Sequence, residues 1–241
     1  MESAEDNAVP WEALPRGRLN YYLQLSQQDE KKALQLHEWN TQLSESLYVP
    51  LQAFEITLRN ILDIPISEHH EKQFGTKAWY ESQPGRADYL KQWCHTLGKH
   101  GCTEQEWSQI EKAKRNLRDR RRQLTHNNFI ASTSFGLWVR FLSKHYDEMW
   151  KHVLALAPVF QGQSLRREEL WRVADQAKRA RNATAHYEPV IEKGKPDDFG
   201  LDEFHGQLVH YLQLFSPRTS AWVLRNSRFS AVWQRRPSWW S

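Results

Sequence analysis

The residues best suited to chemistry lie late in the chain, in Arg181-Asn182-Ala183-Thr184-Ala185-His186. An imidazole titrates near neutral pH, so His186 suits general acid–base work. A guanidinium carries a fixed charge and planar donors that fit phosphate oxygens, so Arg181 suits stabilisation of a phosphate in transit. Asn182 can orient either group. The spacing alone is weak evidence. With 20 Arg and 11 His in the chain, chance supplies about one Arg-x4-His match. The sequence holds three: Arg181/His186, Arg121/His126 and Arg140/His145.

Context separates the three pairs. A helix is predicted from Leu165 to about Tyr187, capped by Ser164. Projected at helical spacing, Leu170, Val173, Ala174, Ala177, Ala180 and Thr184 form one apolar arc, with Arg181 in its middle. A guanidinium on a packed face needs a partner or a polar cleft, because an unpaired buried charge is costly. His186 projects about 140° away on a regular helix. The pair therefore converges only if Arg181 reaches along the axis and His186 sits at a frayed end before Pro189. Arg140 lies in an aromatic helix next to Phe141, and Arg121 lies in a basic run.

A second anomaly is Glu55. In the predicted long helix from about Asp29 to Ile66, Leu36, Trp39, Leu43, Leu47, Leu51, Phe54, Leu58 and Leu62 step by three and four. Glu55 falls beside that apolar arc, with Arg59 four residues on. Either Glu55 pairs locally with Arg59, or it reaches Arg181 or His186 across a helix–helix contact.

The run Lys112–Arg122 carries seven basic residues. Such a run is a solvated face or a stripe that contacts nucleic acid. Lys114, Arg115, Arg118, Arg121 and Arg122, with Arg59 and Lys178, are the candidate RNA-contacting cations. His69-His70 has no third ligand in view, and no metal site or cofactor is expected.

The remaining elements read as helices joined by loops. Residues 1–13 read as a flexible N-terminal arm, 14–225 as a single helical domain, and 226–241 as a basic, Trp-rich tail. Pro50 is expected to kink or split the long helix, and Pro65 and Gly75 to end its regular pattern. Further helices are predicted over 87–99, from a Thr103/Glu106 capping box to about Leu124, over 129–156, over 201–215 and over 218–225. Trp79 and Tyr80 fall in a loop over 75–88. The tail either docks on the domain or contacts RNA by stacking and charge. Strand patterns and internal repeats are missing, so the expected class is all-α.

Composition bounds the rest. The chain has 241 residues, 39% hydrophobic and 26% charged, with a net charge of +4. Twelve Trp supply apolar area for a sizeable core despite a mean hydropathy of −0.79. A pI near 9.0 is compatible with an acidic partner such as nucleic acid. Cys94 and Cys102 form neither a CxxC nor a four-ligand set, which argues against a zinc or disulfide framework. No signal peptide or membrane span is apparent, so a cytoplasmic setting is expected.

Three stretches together carry a family resemblance: LYVPLQAFEITLRNIL (47–62), IASTSFGLWVRFL (130–142) and RARNATAHYEPV (179–190). The chain resembles the Abi-like (abortive infection) branch of the HEPN ribonuclease superfamily over about residues 16–215. The resemblance implies an all-α, HEPN-type helical bundle with additional helices, and metal-independent endoribonuclease activity in phage defence or as a toxin. It also implies a homodimer with a composite cleft. Partners implied are RNA, an antitoxin protein, or a small noncoding RNA held in a ribonucleoprotein. The latter partner fits a non-catalytic RNA-binding protein, the alternative function. The catalytic set would be Arg181, His186 and Asn182, with Glu55 as an added member.

Overall fold

One helix organises the chain. In the computed structural model, residues 16–81, 104–161, 165–191 and 199–240 are described. The predicted arm at 1–13, the helix over 87–99, Thr103, Ser164, Cys94 and Cys102 lie outside them.

Helix α1 (Arg16–Leu25) leads through Ser26 into α2 (Glu30–Phe74), a helix of 45 residues that rises about 68 Å. Asp29 caps its N-terminus by accepting a hydrogen bond from the Lys32 N–H at 3.0 Å. Gly75 ends it in the left-handed region, φ +76°, with its N–H donating to Glu71 at 2.8 Å. The apolar stripe predicted from the sequence is buried from Leu36 to Leu62.

Pro50 does not split α2 and Pro65 does not end it: the helix runs through both and stops at Gly75. A proline in a helix interior forfeits one backbone hydrogen bond and costs about 3 kcal/mol. Burial on either side offsets this: Leu47, Leu51, Leu62 and Ile66 are all sequestered in the core.

The later helices pack around α2. They are α3 (Glu104–Asp119), α4 (His126–Ser132), α5 (Phe135–Phe141), α6 (Arg167–Ala185), α7 (Leu201–Phe215), α8 (Pro217–Asn226) and α9 (Phe229–Trp233). Helices α1, α5, α6, α7, α8 and α9 all contact α2. The described residues are helical or irregular, with no strand.

The single helix expected over 129–156 is instead several short pieces. Thr125 caps α4 and Ser134 caps α5, each accepting a backbone N–H at 3.3 Å. Hydroxyl side chains that bond to nearby backbone compete with helix continuation. Beyond α5 the chain makes a 3₁₀ turn (Lys144–Tyr146), one α turn (Asp147–Met149) and a π turn (Trp150–Leu154). Helix α3 also stops earlier than expected, at Asp119, where Arg121 adopts φ +52°.

Trp79, expected in a loop, is fully buried and joins these pieces to α2. Its ring meets Trp138, Phe129 and Phe141 edge-on at 5.8–6.0 Å. Such edge-to-face contacts add to area burial. The tail docks on the domain. The Trp39 indole donates to the Val232 carbonyl at 3.0 Å, and that of Trp239 donates to Gln35 at 3.0 Å.

Candidate functional site

Glu55 is the pivot of the candidate site. It sits on α2 beside the buried Leu51 and Leu58, and its side chain is 14% exposed. Each of its oxygens faces a different guanidinium. One accepts from Arg59 at 2.8 Å and the other lies 3.5 Å from Arg181 Nε. The two alternatives read from the sequence therefore coexist: Glu55 pairs with Arg59 and also crosses to α6. Arg59 is itself mostly buried, and its other terminal nitrogen donates to the Ala131 carbonyl at 3.2 Å. Burial is the main influence lowering the Arg59 pKa, and Glu55 opposes it.

The three stretches that carry the resemblance thus meet in space. Glu55 in the first touches Arg181 in the third, and Arg59 in the first touches Ala131 in the second. The second stretch also approaches the helix that carries the third, one residue before that stretch begins. A methyl group built on Gly136 would lie 4.0 Å from Lys178 Cδ on α6.

Arg181 is more exposed than its place on the apolar arc predicts. The fully buried face of α6 ends at Ala177, and the last turns rise clear of the core. The Arg181 side chain is 48% exposed, with Nε toward Glu55 and another nitrogen donating to Asn182 Oδ1 at 3.2 Å. Helical projection gives a direction but not the point at which the neighbouring helix ends.

His186 is held at the end of α6, and that end is not frayed as expected. The His186 N–H donates to the Asn182 carbonyl at 2.9 Å. The next residues close a Schellman motif, in which the Glu188 N–H reaches Ala183 at 2.8 Å and that of Tyr187 reaches Thr184 at 3.4 Å. Glycine normally fills the left-handed position, yet here Tyr187 holds φ +58°. Arg18, on α1, donates to the His186 carbonyl at 3.4 Å and lies 5.7 Å from the Tyr187 ring centroid. The Val190 and Ile191 N–H groups then bond to Asn40 Oδ1 at 2.8 and 3.3 Å. The His186 ring itself makes no hydrogen bond or ion pair among the described residues. The structure therefore gathers Glu55, Arg59, Arg181 and Asn182, and leaves the His186 ring facing solvent.

The two rival pairs are engaged elsewhere. Arg140 Nε donates to the buried Glu106 at 2.7 Å. His126 Nε2 lies 2.8 Å from Asp63 Oδ2, while Arg121 is exposed.

Among the candidate RNA-contacting cations, Arg115, Arg118, Arg121 and Arg122 are exposed at the end of α3. Lys114 is held by Glu111 at 2.8 Å and is mostly covered, and Lys178 pairs with Asp175 at 2.6 Å. Arg59 is internal and bridges Glu55 to α4, so it does not present a surface to RNA.

Sequence reasoning missed Arg18 and Asn40. Both act across more than 140 positions of chain, and neither has a local signature. Among the described residues no three His, Cys, Asp or Glu side chains gather to hold a metal ion. Nor is any described helix long and apolar enough to cross a membrane.

Comparison with known proteins returns no matching family, no matching curated protein and no matching solved structure.

Proposed function

We propose that the chain is a metal-independent endoribonuclease of the Abi-like HEPN type. The observation that carries this reading is the open Arg181. An acid on α2 fixes one edge of its guanidinium, and the rest faces solvent beside Asn182, one turn from His186. A cation held this way is pre-set for a phosphate without being neutralised. His186 removes the proton from the 2′-OH or delivers one to the departing 5′-oxygen. Attack by the 2′-OH confines the reaction to RNA and leaves a 2′,3′-cyclic phosphate.

One imidazole per chain serves both proton transfers if two copies face each other. Ile56, next to Glu55 on α2, is an exposed apolar side chain available to that contact. Phage defence or toxin action, with an antitoxin, is the biological setting that the resemblance suggests.

A second reading is a non-catalytic ribonucleoprotein with a small noncoding RNA. It is favoured by the exposed Arg115, Arg118, Arg121 and Arg122. Substitution distinguishes the two. On the first reading, His186→Ala and Arg181→Ala each lower RNA cleavage by at least about a hundredfold with the melting temperature unchanged, while Arg121→Ala only weakens binding. Full cleavage by folded His186→Ala protein overturns the first reading.

A further inference from the structure

Between the end of α5 and the first half of α6 lies a cleft of about 720 Å³ that the site above does not use. Six cationic side chains line it, Arg140, Lys144, Arg166, Arg167, Arg172 and Arg179, against three carboxylates. Four of the cations are committed. Arg140 donates to Glu106 at 2.7 Å, and Arg167 donates to the Leu142 carbonyl at 2.7 Å and to Asp147 at 3.1 Å. Arg166 faces Glu169 at 3.5 Å and Arg179 faces Asp175 at 3.3 Å. Lys144 and Arg172 have no ion pair among the described residues, although the Arg172 guanidinium packs over the Phe199 ring at 4.3 Å.

Other features set the cleft apart from an ordinary solvated face. Trp171 lines it and is 37% exposed, an unusual position for a large apolar ring. Ser143 Oγ on one wall and Arg172 Nε on the other are buried and without a hydrogen-bond partner. A buried polar atom left unpaired costs stability, and a ligand can supply the missing partner. An aromatic face beside the unpaired Lys144, a guanidinium held only by a ring, and two unpaired polar atoms suits a planar, anionic, hydrogen-bonding ligand: a nucleotide unit.

The course of α6 favours a strand over a free nucleotide. Glu168, Trp171, Asp175 and Arg179 share one side of the helix, and Asn182 falls on that side one turn later. From Trp171 to Asn182 the rise is about 16 Å, and His186 follows within about 22 Å. A polynucleotide seated in the cleft therefore runs along α6 toward Arg181 and His186. We infer that the cleft is a groove for the single-stranded RNA flanking the bond that is cut, with a base on Trp171 and phosphates on Lys144 and Arg172. This rests on reading Arg181 and His186 as an RNA-cutting pair.

The test is fluorescence anisotropy of a labelled 12-nucleotide oligouridylate, with the full chain carrying His186→Ala so that the probe stays intact. Adding Trp171→Ala weakens binding about tenfold, and Trp171→Phe restores most of it. Adding Lys144→Glu weakens binding by a similar factor and lowers the salt slope by about one. Both positions are exposed enough to leave the melting temperature in place. Arg225→Glu on α8, an equal change of charge, alters affinity less than twofold.

Unchanged affinity in Trp171→Ala and Lys144→Glu overturns the groove. So does an equal loss in Arg225→Glu, which marks diffuse charge attraction. Displacement of the probe by uridine monophosphate at the concentration where the oligonucleotide itself competes assigns the cleft to free nucleotides, and also overturns it. Cleft-dependent binding by a wild-type protein that never cuts leaves the groove standing and removes only the ribonuclease reading.

Discussion

Two acids on the same helix meet basic side chains from later helices, and their surroundings differ. Asp63 receives the Ser67 hydroxyl and the Trp79 indole, each at 2.9 Å, and His126 at 2.8 Å. Tyr80 lies over His126, and Trp79 is fully buried. Both Asp63 oxygens have protein partners, so the node is closed. Glu55, about 12 Å back along α2, holds Arg59 and Arg181, and the second of these stays half in solvent. A closed node adds rigidity and fixes where α4 and Trp79 sit. An open node keeps a charge available for something else. The same kind of pairing, acid to basic side chain, is thus closed in one place and leaves a guanidinium half exposed in the other.

The sharpest way to break this contrast is to remove the closed acid. Asp63→Ala strands the buried Trp79 N–H and removes the partner of the partly exposed His126, with an expected loss of about 3 kcal/mol in urea unfolding. Cleavage per folded molecule should not change. A loss below about 1 kcal/mol would mean that the node is not structural.

At the open node, Glu55→Gln keeps a hydrogen bond to Arg59 but removes the charge that fixes Arg181. The expectation is roughly tenfold slower RNA cleavage per folded molecule, with a stability loss of about 1–3 kcal/mol because the mostly buried Arg59 loses its counter-charge. Unchanged cleavage by folded Glu55→Gln protein would erase the distinction.

The smallest effect concerns pH. Burial is the main cause holding His37, His69, His70 and His205 below the ordinary histidine pKa. The folded state therefore favours the neutral rings. Their contribution is fully present above about pH 6.5 and is lost as pH falls through the lower folded values. His205 Nε2 is buried without a partner, and its ring stacks on Phe229 with centroids 4.2 Å apart. His205→Phe keeps the stacking, so it should leave melting near pH 7.5 unchanged and reduce the fall in melting temperature toward pH 5. An identical pH slope in the variant contradicts the assignment.

Part of this was legible in the sequence. The stripe from Leu36 to Leu62 follows a local period, and periodicity is what a helical core face must show. Glu55 stood out as an acid beside that stripe. The continuation through Pro65 was not legible, because its cost is local while the burial that offsets it comes from distant chain. The break at Thr133 and Ser134 was hidden inside an apolar run. Arg181 was placed correctly on its helix but not in depth, since the buried face of that helix stops at Ala177. The Asp63–His126 node, 63 positions apart, leaves no local trace, and neither does the reach of Arg18 to the end of α6.

The most direct test of the open node is the chemistry of the RNA ends. Purified protein is incubated with RNA, and the 3′ ends of the fragments are resolved by mass spectrometry, in parallel with a substrate carrying 2′-deoxy sugars. The account predicts 2′,3′-cyclic phosphate ends, no cutting beside a deoxy sugar, and loss of both products in folded His186→Ala protein. Fragments ending in a 3′-hydroxyl, or cutting beside deoxy sugars, contradict it.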